Sequence, residues 1–199
     1  LPEEKVRIVQ MPMGGAFGAK EDILIFQFLG LGALETGRPV RITLTREESL
    51  RTHQKRHPTR LKYKVGADSG GRLQAVHAEI DMDGGAYSSL SIDVLENAVV
   101  FSCGPYSVSS VDITGRVWYT NNVPSGAMRG FGAPQAAAAI ENIMDELALR
   151  LDMDPLELRL KNALRPGDVT IADHVLPEGY PGIVASLEGL KRALDGLTL

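Results

Sequence analysis

Hydrophobic and polar positions alternate with two different periods along this chain. Residues 6–10 alternate weakly and predict a short strand. An aperiodic loop of glycine, alanine and methionine fills residues 11–20. Residues 21–36 are apolar on nearly every turn and predict a mostly buried helix. Glu21 and Asp22 fall in its first turn, where the helix dipole favours acids. Gly37 is its expected C-cap, and Pro39 forbids continuation. Residues 40–45 return to period two and predict a strand, whereas 46–57 are polar and basic without a period. Residues 61–67 and 73–82 predict two strands around Asp68-Ser69-Gly70-Gly71, the clearest hairpin in the chain. Asp83-Gly84-Gly85 breaks the second strand. Residues 90–100 have helical spacing, stopped by Gly104-Pro105, and 108–120 predict one or two strands. A loop of small and turn residues, 121–132, leads into helices over 134–151 and, from Asp154-Pro155, to Asn162. A last helix covers 186–194. Helices, strands and a hairpin so mixed predict an α+β fold, with mixed sheets and packed helices, rather than a doubly wound parallel sheet.

Composition narrows the classes. The chain has 199 residues, 44% of them hydrophobic, enough to bury a core. A net charge of −4 disfavours a nucleic-acid partner that needs a broad basic surface. The single cysteine, Cys103, excludes an internal disulfide, a four-cysteine zinc site and an iron–sulfur cluster within the chain, and fits a reducing, intracellular compartment. No apolar run reaches the roughly 20 residues of a membrane span; residues 23–34 come nearest and are interrupted by Gln27, Gly30 and Gly32. The chain opens on Leu1-Pro2-Glu3-Glu4 without a signal-like region and closes as a helical pattern begins, so both ends read as cut from something longer.

Two loops carry candidate chemistry. The first, Gly14-Gly15-Ala16-Phe17-Gly18-Ala19-Lys20-Glu21, lies between a predicted strand and helix. Its glycines allow close backbone approach, and free N–H groups at a helix start favour an anion. It is not a Walker A loop, because Ala19 precedes Lys20 and Glu21 follows it. Nor does the chain carry a dinucleotide fingerprint: Gly30-Leu31-Gly32 lies inside the predicted helix, with Glu35 at the third glycine position. The plain alternative is a tight turn. The second loop is Ser125-Gly126-Ala127-Met128-Arg129-Gly130-Phe131-Gly132-Ala133-Pro134-Gln135. Arg129 suits a phosphate or carboxylate, and Phe131 suits a planar ring; the plain alternative is a surface loop with a packed Phe. Both loops carry a Phe and a basic residue, so together they suit one anionic planar ligand, or an anionic ligand beside a planar one. His53, His57, His77 and His174 show no metal-ligand spacing, and the basic run 46–60 reads as a solvated face or a contact surface.

These loops resemble the molybdenum-cofactor-binding subunit of the xanthine dehydrogenase and aldehyde oxidase family. The similar stretches are residues 13–22, 52–63, 84–87, 104–116, 119–135 and 154–168, in the family's order. The resemblance implies that residues 1–168 are the central part of the cofactor-binding domain and that 169–199 are a linker and the start of the next segment. It implies a molybdopterin hydroxylase that inserts water-derived oxygen into an N-heterocycle or an aldehyde. Gly14, Gly15, Phe17, Gly18, Ala127, Arg129 and Gly130 would line the cofactor, with the backbone N–H groups of Phe17 and Arg129 meeting the molybdenum's ligands. Phe131 would stack on the substrate ring, and Glu21 matches an acidic position that binds the heterocycle in purine-oxidising members. Ser88 stands where animal-type purine oxidisers have an arginine, which counts against xanthine itself. The family's general base, a glutamate in a Gly-Xaa-Gly-Glu loop, has no counterpart here, so the chain alone is expected to show little or no turnover. Iron–sulfur clusters and FAD would sit on other domains or subunits, with the remaining halves of the molybdenum subunit as partners. A non-catalytic module that completes a partner's active site is the reading from another class.

Overall fold

In the computed structural model, residues 2–23, 25–180 and 182–197 are described. The centre is a three-stranded mixed sheet of β1 (Thr59–Ala67), β2 (Leu73–Gly85) and β3 (Ser110–Tyr119), in that order. β1 and β2 are antiparallel, and β2 and β3 are parallel. The hairpin turn falls at Asp68–Gly71 as its residues predict, closed by Gly71 N–H donating to Asp68 O at 2.9 Å. Period-two patterning sets the sheet's sides. Val76, Ala78, Ile80 and Met82 are buried on one face of β2, while His77, Glu79 and Asp81 face outward. The outward side is a charge ladder: Arg116 Nε pairs with Asp81 at 2.9 Å, and Lys62 with Glu79 at 3.1 Å.

Helices cover the inward face. α3 (Ser91–Val100) packs on β2 and β3, and α4 (Ala133–Leu151) packs on β1 and α3. α4 buries Ala136, Ile140, Met144 and Ala148, a strict i, i+4 stripe. One core cluster joins Leu73, Tyr106, Ile140, Met144 and Leu158; the other joins Ile80, Met82, Val94 and Ala98. α5 (Pro155–Asn162) starts at Asp154, whose side chain accepts from the Leu156 and Glu157 N–H groups. It lies against α4 and carries α6 (Ile183–Asp195) on its far side. Asn162 ties α5 to the hairpin: its Oδ1 accepts from Leu73 N–H at 2.9 Å and its Nδ2 donates to Gly71 O at 2.8 Å.

The N-terminal region departs from the pattern. α1 spans Phe26–Thr36, five residues short of the predicted start, and ends on Gly37 in the left-handed conformation as expected. Glu21 therefore lies in a turn before the helix, outside its first turn, and the dipole argument for its acidity lapses. The stretches 6–10 and 40–45 belong to no strand, because no neighbouring strand supplies partners among the described residues. The basic segment contains a helix, α2 (Arg46–Thr52), which the polar composition hid. Thr45 and Glu48 form its capping box, a Thr-x-x-Glu signal legible in the sequence. Among the described residues no helix is long and apolar enough to cross a membrane.

Candidate cofactor site

The two glycine-rich loops meet. Gly18, at φ +92°, presses on the second loop so closely that a Cβ there would lie 2.6 Å from the carbonyl carbon and oxygen of Ala127. The Arg129 guanidinium sits over the Phe17 ring, 5.5 Å from its centroid, a cation–π contact worth about 0.5–1 kcal/mol at an exposed site. Phe17 and Phe131 both hold positive φ, 55° and 49°. Bulky residues seldom do so, and each such position costs of order 1–3 kcal/mol that the surroundings must hold in place. Those surroundings are visible. Lys20 Nζ donates to Gly15 O at 2.8 Å, and Ala19 N–H donates to Ala16 O. On the second loop, Phe131 N–H donates to Met128 O at 2.7 Å, and Asn97 Nδ2 donates to Phe131 O at 2.7 Å.

The segment after α2 is the brace. Arg56 Nη2 donates to Arg129 O at 2.7 Å, and Nη1 donates to Gln135 Oε1 at 3.3 Å. Gln54, buried beside Gly126, donates to Gly18 O at 3.4 Å and so touches both loops. Lys55 N–H donates to Pro124 O, and Gly126 N–H donates to Lys55 O. The basic run thus works mainly as a strut under the loops at Arg56, while Arg46 and Arg51 are solvated. Arg56, Gln54, Asn97 and Gln135 escape a reading by local pattern, since their partners lie 34 to 79 residues away.

Several donors point at no described residue. Ala127 is fully buried, yet its N–H makes no hydrogen bond among the described residues, and neither do the N–H groups of Phe17, Gly18 and Arg129. Gln135 Nε2 and Gln54 Oε1 are buried without partners among the described residues. The buried ones among them, Ala127 N–H, Gln135 Nε2 and Gln54 Oε1, cost about 1–3 kcal/mol each, whereas Phe17 and Arg129 are exposed and Gly18 half-buried; beside strained loops the set marks a place for a ligand. Most are N–H donors next to Arg129, which suits an anionic or multiply accepting group such as a phosphorylated pterin.

Other expected residues fall nearby. Glu21 is exposed, and its N–H donates to Gly18 O at 3.3 Å. Its neighbour Asp22 accepts from Ser89 Oγ at 2.7 Å, which brings the Ser88–Ser89 turn to the first loop. Ser88 lines a shallow cavity of about 180 Å³ with Gly84, Ser91 and Trp118. Gly14 is open, with space around its Cα, and Gly130 holds a positive φ beside Pro134. The Phe131 ring is half-buried against the Ile80 and Val94 cluster, so the core packs one part of it. Among the described residues no group of three or more His, Cys, Asp or Glu is placed to hold a metal ion.

His57 supports the site from below. It is buried, and its Nε2 is 2.7 Å from Ser91 Oγ at the start of α3. Burial pushes its imidazole below the ordinary 6.5, against an opposing pull from the Asp83 carboxylate. Between that lowered value and 6.5, the unfolded chain binds a proton that the folded chain refuses. Stability is therefore full above about 6.5 and falls as pH drops below it. Urea midpoints measured from about pH 7.5 to 5.5 should decline, and the decline should be shallower in His57→Gln.

The geometry defines a class: a domain in which two glycine-rich loops, each with a phenylalanine at positive φ, meet beside donors without partners among the described residues. The chain belongs to the molybdopterin cofactor-binding domain family, which it matches over residues 1–163. It is 44% identical over 174 residues to a probable xanthine dehydrogenase subunit of Bacillus subtilis, covering 87% of this chain and 23% of that protein. It is 43% identical over 188 residues to the nicotinate dehydrogenase large molybdopterin subunit of Eubacterium barkeri, covering 94% and 44% respectively. The aldehyde oxidoreductase of Desulfovibrio gigas superposes with a TM-score of 0.86 at 34% identity, over 92% of this chain and 20% of that one. The chain thus spans less than half the length of each of these relatives.

Proposed function

We propose that this chain is one side of the active-site wall of a molybdopterin-dependent hydroxylase that oxidises an N-heterocycle with oxygen from water. The observation that carries this reading is the junction of the two loops, Gly18 against Ala127 and Arg129 over Phe17, ringed by N–H donors without partners among the described residues. Gly14, Gly15, Gly18, Ala127 and Gly130 let the backbone reach the cofactor. Phe17 and Arg129 offer N–H groups toward the molybdenum's ligands rather than ligating side chains. When bound, the molybdenum–pterin group supplies the two-electron acceptor for hydroxylation. Glu21 holds the heterocycle and balances charge that develops on it, and the free face of Phe131 stacks on its ring. Ser88 leaves more room and less positive charge than an arginine would, which favours heterocycles other than xanthine.

Residues 1–168 are the central part of the domain, and 169–199 lead into the next segment. The catalytic glutamate, the iron–sulfur clusters and any FAD belong to further polypeptide, and the assembly is intracellular. The chain alone turns over little or nothing, because no Gly-Xaa-Gly-Glu loop is present in it. An aldehyde-oxidising enzyme is the second reading, favoured by the likeness to the Desulfovibrio gigas aldehyde oxidoreductase.

The test is to produce the chain alone and together with the missing segments and partner subunits, then measure molybdenum, organic phosphate and dye-coupled oxidation of nicotinate, hypoxanthine and benzaldehyde. Expected are molybdenum and heterocycle oxidation in the assembly and neither in the isolated chain. Preference for benzaldehyde selects the second reading. An assembly without molybdenum means a non-catalytic module, and turnover by the chain alone overturns the proposed division of the active site.

A further inference from the structure

Four consecutive residues, 54–57, each grip a different part of the site. Gln54 reaches the first loop, Lys55 and Arg56 reach the second, and His57 reaches the start of α3. His57 is 2% exposed and its partner Ser91 1% exposed. His57 Nδ1 is buried without a partner among the described residues, so the ring is held by Nε2 alone. An apolar side chain would fill the same space without that orphan, so packing does not explain a histidine there. The residue is also fixed to the sheet. His57 O accepts from Thr59 Oγ1 at 2.9 Å where β1 begins, and Pro58 O accepts from Asp83 N–H of β2 at 2.9 Å.

α3 is where that hold matters. Its N-cap, Leu90, offers no capping side chain. In place of a cap, the Ser91 hydroxyl ties the helix start to His57. From there the helix reaches both loops. Ser91 N–H donates to Ser88 O at 2.9 Å, and the adjacent Ser89, at φ 43°, donates its hydroxyl to Asp22 just past the first loop. Six residues on, about 9 Å along the axis, Asn97 Nδ2 donates to Phe131 O at 2.7 Å. Between these points the second loop lies against the helix backbone without slack: a Cβ at Gly132 would collide with Val94 O and lie 3.0 Å from Ala98 N. Contacts packed this closely pass a shift of α3 directly to Phe131. We propose that His57 is a positioning residue: through Ser91 it sets where α3 lies along its axis, and so places the Ser88–Ser89 turn and Phe131 around the site. The effect on substrate rests on the reading above that the free face of Phe131 stacks on the heterocycle; the effect on the loop does not.

Two substitutions separate the bond from the bulk. Glutamine carries its amide nitrogen as far from the backbone as Nε2 and keeps the contact with Ser91, whereas asparagine reaches only as far as Nδ1 and leaves Ser91 unpaired. Both are made in the chain assembled as for the activity test above. Amide hydrogen exchange is followed at residues 88–94 and 128–133, with β2 as the reference for global opening. His57→Asn is expected to speed exchange in both stretches about tenfold while β2 is unchanged. It should also raise KM for the heterocycle about tenfold with kcat within about twofold, because stacking binds substrate and transition state alike. His57→Gln is expected to match the parent in both measurements. If His57→Asn does not fold, Ser91→Ala removes the same bond from the other side and must give the same pattern; where both fold, combining them should add nothing further. Asparagine and glutamine variants that behave alike would overturn the proposal. So would faster exchange spread evenly over β2, which is what a buried histidine with a merely structural role would give. Faster exchange at 128–133 with an unchanged KM leaves the positioning role standing and removes Phe131 from substrate stacking instead.

Discussion

Glu21→Gln in the assembled enzyme is expected to lower heterocycle oxidation about 100-fold, the loss typical of removing one charge-stabilising contact from a water-poor site. The side chain is exposed at the rim of the first loop, one residue from Asp22, whose bond to Ser89 holds that rim against the Ser88–Ser89 turn. Glutamine keeps the size and one acceptor oxygen but loses the charge. Substrate therefore still enters, and the drop should appear mainly in kcat, because the contact strengthens as charge develops on the ring. Molybdenum content should not change, since the carboxylate is not part of the cofactor's proposed contacts. A variant as fast as the parent would remove Glu21 from the reaction and leave it as a solvated acid on a turn. Equal losses with nicotinate and benzaldehyde would show a role in shaping the loop rather than in reading the heterocycle.

Gly18→Ala should do comparable harm by a different route. Its Cβ would lie 2.6 Å from the Ala127 carbonyl and 2.8 Å from Met128 N, where ordinary contact begins at 3.4 Å. Those atoms are backbone, so the two loops must part by roughly 1 Å, a displacement that can cost about 100-fold in a reaction. The φ of +92° adds strain of about 1–2 kcal/mol. We expect molybdenum loading to fall about tenfold or more, through the same displacement. The far-ultraviolet spectrum should stay that of the parent, because the sheet and α4 are untouched. Gly66→Ala is the control: it lies in β1 with open space around it and no positive φ. Normal loading in Gly18→Ala would mean that the close approach of the loops is not what holds the cofactor.

Some of this was readable from local pattern. The hairpin turn, α3, α4 and α5 lie within a residue or two of where period, caps and breakers place them, because each of those signals acts over a few residues; β2 instead runs three residues past its expected end, through Asp83-Gly84-Gly85, because parallel pairing with β3 continues there. The two loops were visible as small-residue stretches with a Phe and a basic residue. Their junction was not. Gly18 and Ala127 are far apart in sequence, and nothing near either specifies the other. The start of α1 was misplaced for the same reason. Residues 17–20 are held in a turn by the bond from Lys20 to Gly15, and Asp22 is drawn to Ser89, so contacts beyond the helix's own period delay it to Phe26. The brace was hidden more deeply. Arg56 sits in a basic run that composition reads as solvated, and only the fold carries it to Arg129 and Gln135.

By itself, then, the sequence determined the α+β class, most element positions and the glycine-rich loops. These follow from periodicity, turn chemistry and residue inventory. The tertiary structure alone decided that the loops touch, that Phe17 and Phe131 are held at positive φ, and that donors around them lack partners among the described residues. It also decided that residues 6–10 and 40–45, patterned as strands, form no strand pairing among the described residues. A strand's pattern states only which face it would bury; its hydrogen bonds depend on a neighbour, and a neighbour is a property of the fold.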